Sequence, residues 1–393
     1  MKAFMSKLYW ALCVGLYKLA TGKWGKTVIN NNKVVASAFG GRKYGDNPMY
    51  ILDALKEIKP DVEIVWISHP KEQLKVPDHV RIVNKHSLRY FYEYATAKVW
   101  IDNELIHAYM QKKDEQMFIE TWHAGLGFKR IYFDVAGYDE SNRSYDRLKR
   151  TTDLANYFLS DSDFFTRICR EAFRYKGEVL HWGFPRNDII VIDREGRCAK
   201  ELKQELGIDD SCKLMLYAPT FRDGNTDIEA RYNVDFARLH AALTKRFGGE
   251  WKILLRLHPW LQNADMGSLL SCNYVVNVTN YPDVQRLNAA CDACMTDYSS
   301  TVFDAVLRRI PCFIYANDFD SYKKSRGVYM EINELPFPYA DSNALLEERI
   351  LTFDDENYQR DLAQYFNDKN VVANGDASHR LAALIAAFMT PNH

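Results

Sequence analysis

The amino-acid sequence predicts two α/β domains, each a parallel β-sheet covered by helices, and three observations predict it. At 393 residues the chain exceeds what one hydrophobic core ordinarily organises, so two domains of roughly 150 to 200 residues each are expected. After residue 30, short β-rich apolar runs alternate with longer amphipathic stretches, as in parallel strands joined by covering helices. The composition, 47% apolar, 13% aromatic and 26% charged, is that of a folded protein without low-complexity tracts.

Taken in order, the first element is an amino-terminal helix. Lys2 and Lys7 precede an apolar run over residues 8–17, and Lys18, Lys23 and Lys26 follow it. Ten apolar residues fall well short of the roughly 20 that span a bilayer, and no small-x-small cleavage site is evident. A cationic, aromatic helix lying in a membrane interface is expected over residues 1–28, with packing on the protein itself as the alternative.

Strands are then expected near 33–39, 62–68, 98–102, 117–122, 156–160 and 178–181, with helices near 47–58, 87–97 and 161–175. The second half repeats the pattern, with strands near 213–218, 251–257, 274–277, 293–296 and 312–315 and helices near 235–247, 283–290 and 300–309. The glycine and proline in Gly183-Phe184-Pro185 punctuate the middle. This places a first domain over 29–185, a second over 186–375, and a last helix over 376–393 that returns to the first domain.

Several function classes drop out. A net charge of -1 argues against nucleic acid as a partner, since affinity for phosphate backbones needs a basic excess. Neither half carries G-x-G-x-x-G after its first strand, and neither a Walker A sequence nor H-E-x-x-H is present, so dinucleotide redox chemistry, triphosphate hydrolysis and zinc proteolysis are unsupported. Cys291 and Cys294 have metal-ligand spacing, but no second pair completes a site, and the eight scattered cysteines read as reduced small hydrophobes. No cofactor is expected.

The residues that carry chemistry stand at strand ends. His123 closes one apolar run and is followed by a glycine turn with Lys129 and Arg130; His258 closes another, two residues after Arg256. Histidine transfers protons near neutrality, and cations beside it suit an anionic substrate. Thr220 and Arg222 lie in a polar turn after the 213–218 strand, where a hydroxyl and a planar guanidinium fork would meet a phosphate. Asp297, Ser299, Ser300, Thr301 and Asp304 surround a predicted helix start, whose free N–H groups and hydroxyls would hold a diphosphate. Ordinary helix capping needs just one of those hydroxyls. Asp297 and Asp304 read as a helix cap and a hydrogen-bond partner for a ribose or polyol; no metal is required.

These segments together resemble the CDP-glycerol glycerophosphotransferase family, the primases and polymerases of teichoic acid and related capsule assembly. The landmarks, in order, are Gly41-Arg42-Lys43-Tyr44-Gly45-Asp46-Asn47-Pro48, Trp122-His123, Gly183-Phe184-Pro185-Arg186-Asn187-Asp188, Ala218-Pro219-Thr220-Phe221-Arg222, Arg256-Leu257-His258-Pro259, Thr296-Asp297-Tyr298-Ser299-Ser300, Arg326-Gly327-Val328-Tyr329 and Gly375-Asp376-Ala377-Ser378-His379-Arg380. The family's H-G-T-P-x-K reads His123-Ala124-Gly125-Leu126-Gly127-Phe128-Lys129 here, with the lysine one place later.

The resemblance implies a GT-B-like enzyme: two Rossmann-like domains facing across a cleft, the second holding most of a CDP-activated polyol donor. It implies transfer of a polyol phosphate, glycerol phosphate first, to a hydroxyl of a lipid-linked glycan or polyol-phosphate acceptor, with release of CMP, at the cytoplasmic face of a bacterial membrane. His123 would be the general base, His258 with Arg256 would serve the diphosphate or the leaving CMP, and the Ser299–Thr301 turn would hold pyrophosphate oxygens. A GT-B glycosyltransferase acting on a nucleotide sugar needs the same groups and stays open, as does a membrane-associated scaffold without activity.

Overall fold

In the computed structural model, which describes residues 2–21, 27–220, 233–257 and 272–390, the chain forms two compact units. The first comprises Met1–His123, Tyr132–Asp188 and Val372–His393, and the second Ala124–Ile131 and Ile189–Val371. The expected partition kept residues 124–131 in the first domain; here they belong to the second. His258 and Arg222 lie outside the described residues, as do Lys23 and Lys26.

The first unit is built on seven parallel strands: β1 (Asn30–Ala36), β2 (Glu63–Ser68), β3 (Val80–Asn84), β4 (Ala97–Asp102), β5 (Met117–Glu120), β6 (Tyr157–Ser160) and β7 (Glu178–His181). They lie in the order β3-β2-β1-β4-β5-β6-β7. Sequences such as Ile64-Val65-Trp66-Ile67 are buried throughout, as strands covered on both faces require. The edge strand β3, Val80-Arg81-Ile82-Val83-Asn84, buries Val80 and Val83 and leaves its other residues partly or fully exposed.

Helix α1 (Lys2–Thr21) sets Cys13, Val14 and Tyr17 into the core beside Phe91 and Tyr94 of α3 (Leu88–Thr96). The helix Ala377–Met389 packs on α2 (Asp46–Ile58). No helix among the described residues is long and apolar enough to cross a membrane.

The second unit holds six parallel strands: β8 (Lys213–Tyr217), β9 (Trp251–Leu255), β10 (Val275–Asn277), β11 (Ala293–Thr296), β12 (Cys312–Tyr315) and β13 (Tyr339–Ala340), ordered β10-β9-β8-β11-β12-β13. Cys291, Cys294 and Cys312 are buried. In each sheet the chain begins centrally, builds outward on one side, then crosses to the other. The first reversal lies between β1 and β4 and the second between β8 and β11. Open α/β sheets bind ligands beyond the carboxyl ends of their strands at such points.

Candidate functional site

In the first unit the carboxyl ends of β1, β4 and β5 converge on His123. β5 ends at Glu120, whose Oε1 accepts the Trp122 N–H at 2.9 Å. Trp122 adopts φ 50, and its indole stacks on the imidazole of His123 with centroids 4.2 Å apart. Phe39 approaches the same imidazole at 5.5 Å, with its own φ at 50. Asp46 (φ 57) and Tyr132 (φ 44), which packs on Trp122, complete a group of four left-handed non-glycine residues. Such conformations cost about 1–3 kcal/mol each and cluster where a geometry must be held.

The imidazole is oriented by one hydrogen bond. Nδ1 of His123 lies 2.7 Å from the main-chain oxygen of Asn103, and a carbonyl only accepts, so Nδ1 carries the proton and Nε2 keeps its lone pair. Burial pulls the His123 pKa below the usual histidine range, against the Asn103 bond and Asp46, which raise it. The neutral ring with a bare Nε2 is the form a general base needs.

Two landmark motifs meet on the backbone here. Arg186 donates to the carbonyl of His123 and, at 3.2 Å, to Asp46 Oδ2. Asn47 donates to the carbonyl of Trp122 at 3.0 Å and accepts the Arg186 N–H at 3.1 Å. A third motif is tied in through Asp188, whose carboxylate accepts the N–H groups of Ala377 and Ser378 and the Ser378 hydroxyl at 2.6 Å. Sequence reasoning quoted these motifs without assigning Asp46, Asn47, Asn103, Glu120 or Arg186 to the site. The available signal was a polar Asp102-Asn103-Glu104 turn directly after a buried strand.

In the second unit the expected ligand groups are brought together at the β8/β11 reversal and largely used on one another. Asp297 is buried; its Oδ1 accepts the Thr220 N–H at 2.8 Å and its Oδ2 the Thr220 hydroxyl at 2.9 Å, so the carboxylate fastens the turn after β8. Ser299 Oγ pairs with Thr301 Oγ1 at 3.0 Å and caps its N–H. The helix that follows, Thr301–Ala305, is a single short turn.

Two further expected residues make contacts within the second unit. Asp304 is buried, and its Oδ2 accepts from Gln285 at 3.0 Å. Arg256 turns inward, its guanidinium donating to the carbonyls of Val278 and Tyr281 at 3.1 and 2.7 Å, with burial lowering its pKa to about 10. Both satisfy buried polar groups of the unit.

The segment after His123 runs along this turn. Tyr329 donates its N–H to the carbonyl of Phe128 at 2.7 Å, Lys129 bridges Val328 in antiparallel fashion, and Arg130 Nε donates to Val328 O at 3.0 Å. The Phe128 ring lies 5.5 Å from that of Phe303, and Gly127 faces the Cβ of Ser300. Lys129 is exposed beside this turn.

The teichoic acid poly(glycerol phosphate) polymerase of Staphylococcus epidermidis is 31% identical over 363 residues, covering 90% of this chain and 50% of that protein. Its counterpart in Bacillus subtilis is 26% identical over 343 residues, covering 84% and 45%. The chain thus spans about half the length of these two relatives. Solved structures of the wall teichoic acid polymerase TagF align with a TM-score of 0.85 at 28% identity, over 99% of this chain and 98% of that one. A histidine variant of TagF soaked with CDPG aligns at 0.84. The family model for CDP-glycerol:poly(glycerophosphate) glycerophosphotransferases matches residues 19–387, and the chain belongs to that family.

Proposed function

We propose that the protein transfers a polyol phosphate, glycerol phosphate first, from a CDP-activated donor to a hydroxyl of a lipid-linked acceptor in teichoic acid synthesis, releasing CMP. The observation that carries this reading is the orientation of His123, with Nδ1–H committed to Asn103 O and Nε2 bare. In the step, Nε2 takes the proton of the acceptor hydroxyl as its oxygen bonds to the donor's β-phosphorus. The bond from that phosphorus to the bridging oxygen breaks, and CMP leaves with the electron pair. Phosphoryl transfer asks mainly for positioning and charge stabilisation. Lys129 and the hydroxyls of Ser299, Ser300 and Thr301 are assigned to donor oxygens, and His258, from its motif, to the leaving CMP. The TagF structure soaked with CDPG supports the donor class.

The acceptor places the work at a membrane surface, and α1 fits that place. Its inward face is packed, whereas Leu12, Leu16 and Leu19 are 60%, 50% and 74% exposed.

Incubating the protein with CDP-glycerol, CDP-ribitol and UDP-sugars in separate reactions tests the assignment. CMP release with a CDP-polyol is expected; UDP release alone would make the protein a glycosyltransferase. His123→Ala should lower turnover by about 10²–10⁴, the range for losing a general base.

A further inference from the structure

Behind the His123 turn lies a carboxyl that the proposed reaction does not use. Glu120 is wholly buried, its Oε1 accepts the Trp122 N–H, and among the described residues its Oε2 has no hydrogen-bond partner. Its register partner on β4 is Asp102, also buried. Asp102 Oδ1 accepts the N–H groups of Asn103 and Glu104 at 2.9 and 3.1 Å. The carbonyl of that same Asn103 receives the His123 Nδ1–H. Two adjacent acids therefore grip the two turns that hold one imidazole.

A half-satisfied buried carboxyl destabilises a fold, and an apolar side chain of the same size would fill the space without that loss. What the acid supplies is an acceptor for the Trp122 N–H. Trp122 is bulky and left-handed, so its peptide relaxes toward extended backbone unless it is held. Relaxation would lift the indole from the imidazole it stacks on at 4.2 Å and free His123 to swing off the Asn103 carbonyl.

We propose that Glu120 is a positioning residue for the transfer reaction, fixing the Trp122 peptide in its left-handed conformation and thereby holding Nε2 of His123 on the acceptor hydroxyl. This rests on His123 as the base. Asp102, Glu104, Arg147, Tyr132 and Cys169 are ionisable groups that interact with Glu120. Burial, reinforced by Asp102, raises the Glu120 pKa well above the carboxylate range, and the Trp122 N–H opposes that shift. The bond it makes needs an acceptor oxygen, which an amide supplies as well as a carboxyl.

Two variants of the full chain separate positioning from packing. Glu120→Gln keeps a neutral acceptor; Glu120→Met fills the site without one. CMP release gives kcat and donor KM, thermal melting reports the fold, and long-range ¹⁵N–¹H NMR of ¹⁵N-histidine protein reports the His123 tautomer. Glu120→Gln should retain kcat within about threefold. Glu120→Met should melt no lower than the parent, lose the Nδ1–H signature, and drop kcat about 10- to 100-fold at unchanged donor KM, the scale of a small misplacement of a reacting group. A Glu120→Met protein with parental kcat and tautomer overturns the inference. So does loss of both activity and melting temperature in both variants, which would mark Glu120 as structural. His123→Ala run in parallel distinguishes the layers: if it is fully active the base assignment itself fails, and if it is inactive beside a fully active Glu120→Met, Glu120 alone is misassigned.

Discussion

At the scale of single residues, burial decides which strand-end groups titrate. Burial lifts the Asp102 pKa to about 7, with Lys85 opposing and Glu104 adding to the shift. The unfolded chain loses this proton near the ordinary value of about 4. Between about 4 and 7 the folded state binds more protons than the unfolded one, so this group's contribution makes stability fall as pH rises through that window and stay level above it. Asp102→Asn keeps an oxygen for the Asn103 and Glu104 N–H groups and removes the titration. Urea unfolding from pH 4 to 8 should show the variant gaining on the parent as pH rises, by an amount of the order of 1–4 kcal/mol at pH 8. A constant difference across that range would place Asp102 in a wetter site than its burial implies. His123 was legible in the sequence because a histidine closing an apolar run before a glycine turn is a local pattern. Asp102 and Glu120 were not, because what makes them adjacent is the parallel register of β4 and β5, which no local window contains. The bonds of Arg256 to the Val278 and Tyr281 carbonyls were not legible for a related reason, since they join segments more than twenty residues apart.

At the scale of elements, most of the sheet was legible, since buried parallel strands are short apolar runs with helical stretches between them. The expected runs at 213–218 and 312–315 correspond to β8 at Lys213–Tyr217 and β12 at Cys312–Tyr315. Two strands were missed. β3 carries Arg81 within a five-residue edge, and β13 has two residues, Tyr339 and Ala340, too few for any periodicity. The return of helix Ala377–Met389 onto α2 depends on a contact distant in sequence: Asp188 accepts two of its leading N–H groups and the Ser378 hydroxyl. Removing such a cap costs about 1–2 kcal/mol. Asp188→Ala should therefore lower the melting temperature by several degrees and speed amide hydrogen exchange in residues 377–389 before that of β8 and β11. Unchanged exchange in that helix would show that packing on α2 holds it without the cap.

At the scale of the whole molecule, a net charge of -1 gives no general attraction to an anionic surface, so docking on a membrane must come from a local element. α1 is pinned from one side, with the Tyr17 hydroxyl donating to Gln111 O at 2.6 Å and Thr21 buried, while Leu12, Leu16 and Leu19 face outward. Sinking three leucines part-way into an interface is worth roughly 3–5 kcal/mol from apolar area, and each lysine near an anionic surface adds about 1 kcal/mol at low salt. That sum gives weak, reversible, salt-sensitive binding, which the proposed transfer to lipid-linked acceptors would call for. Replacing Leu12, Leu16 and Leu19 together by Asn leaves the packed face of Cys13, Val14 and Tyr17 intact, so the melting temperature should hold. Co-sedimentation with vesicles containing anionic lipid should fall at least tenfold, while turnover on a short-chain, water-soluble acceptor stays at the parental level. If the triple variant sediments as the parent does, the exposed leucines are not the docking face, and α1 serves the fold through its inner side alone.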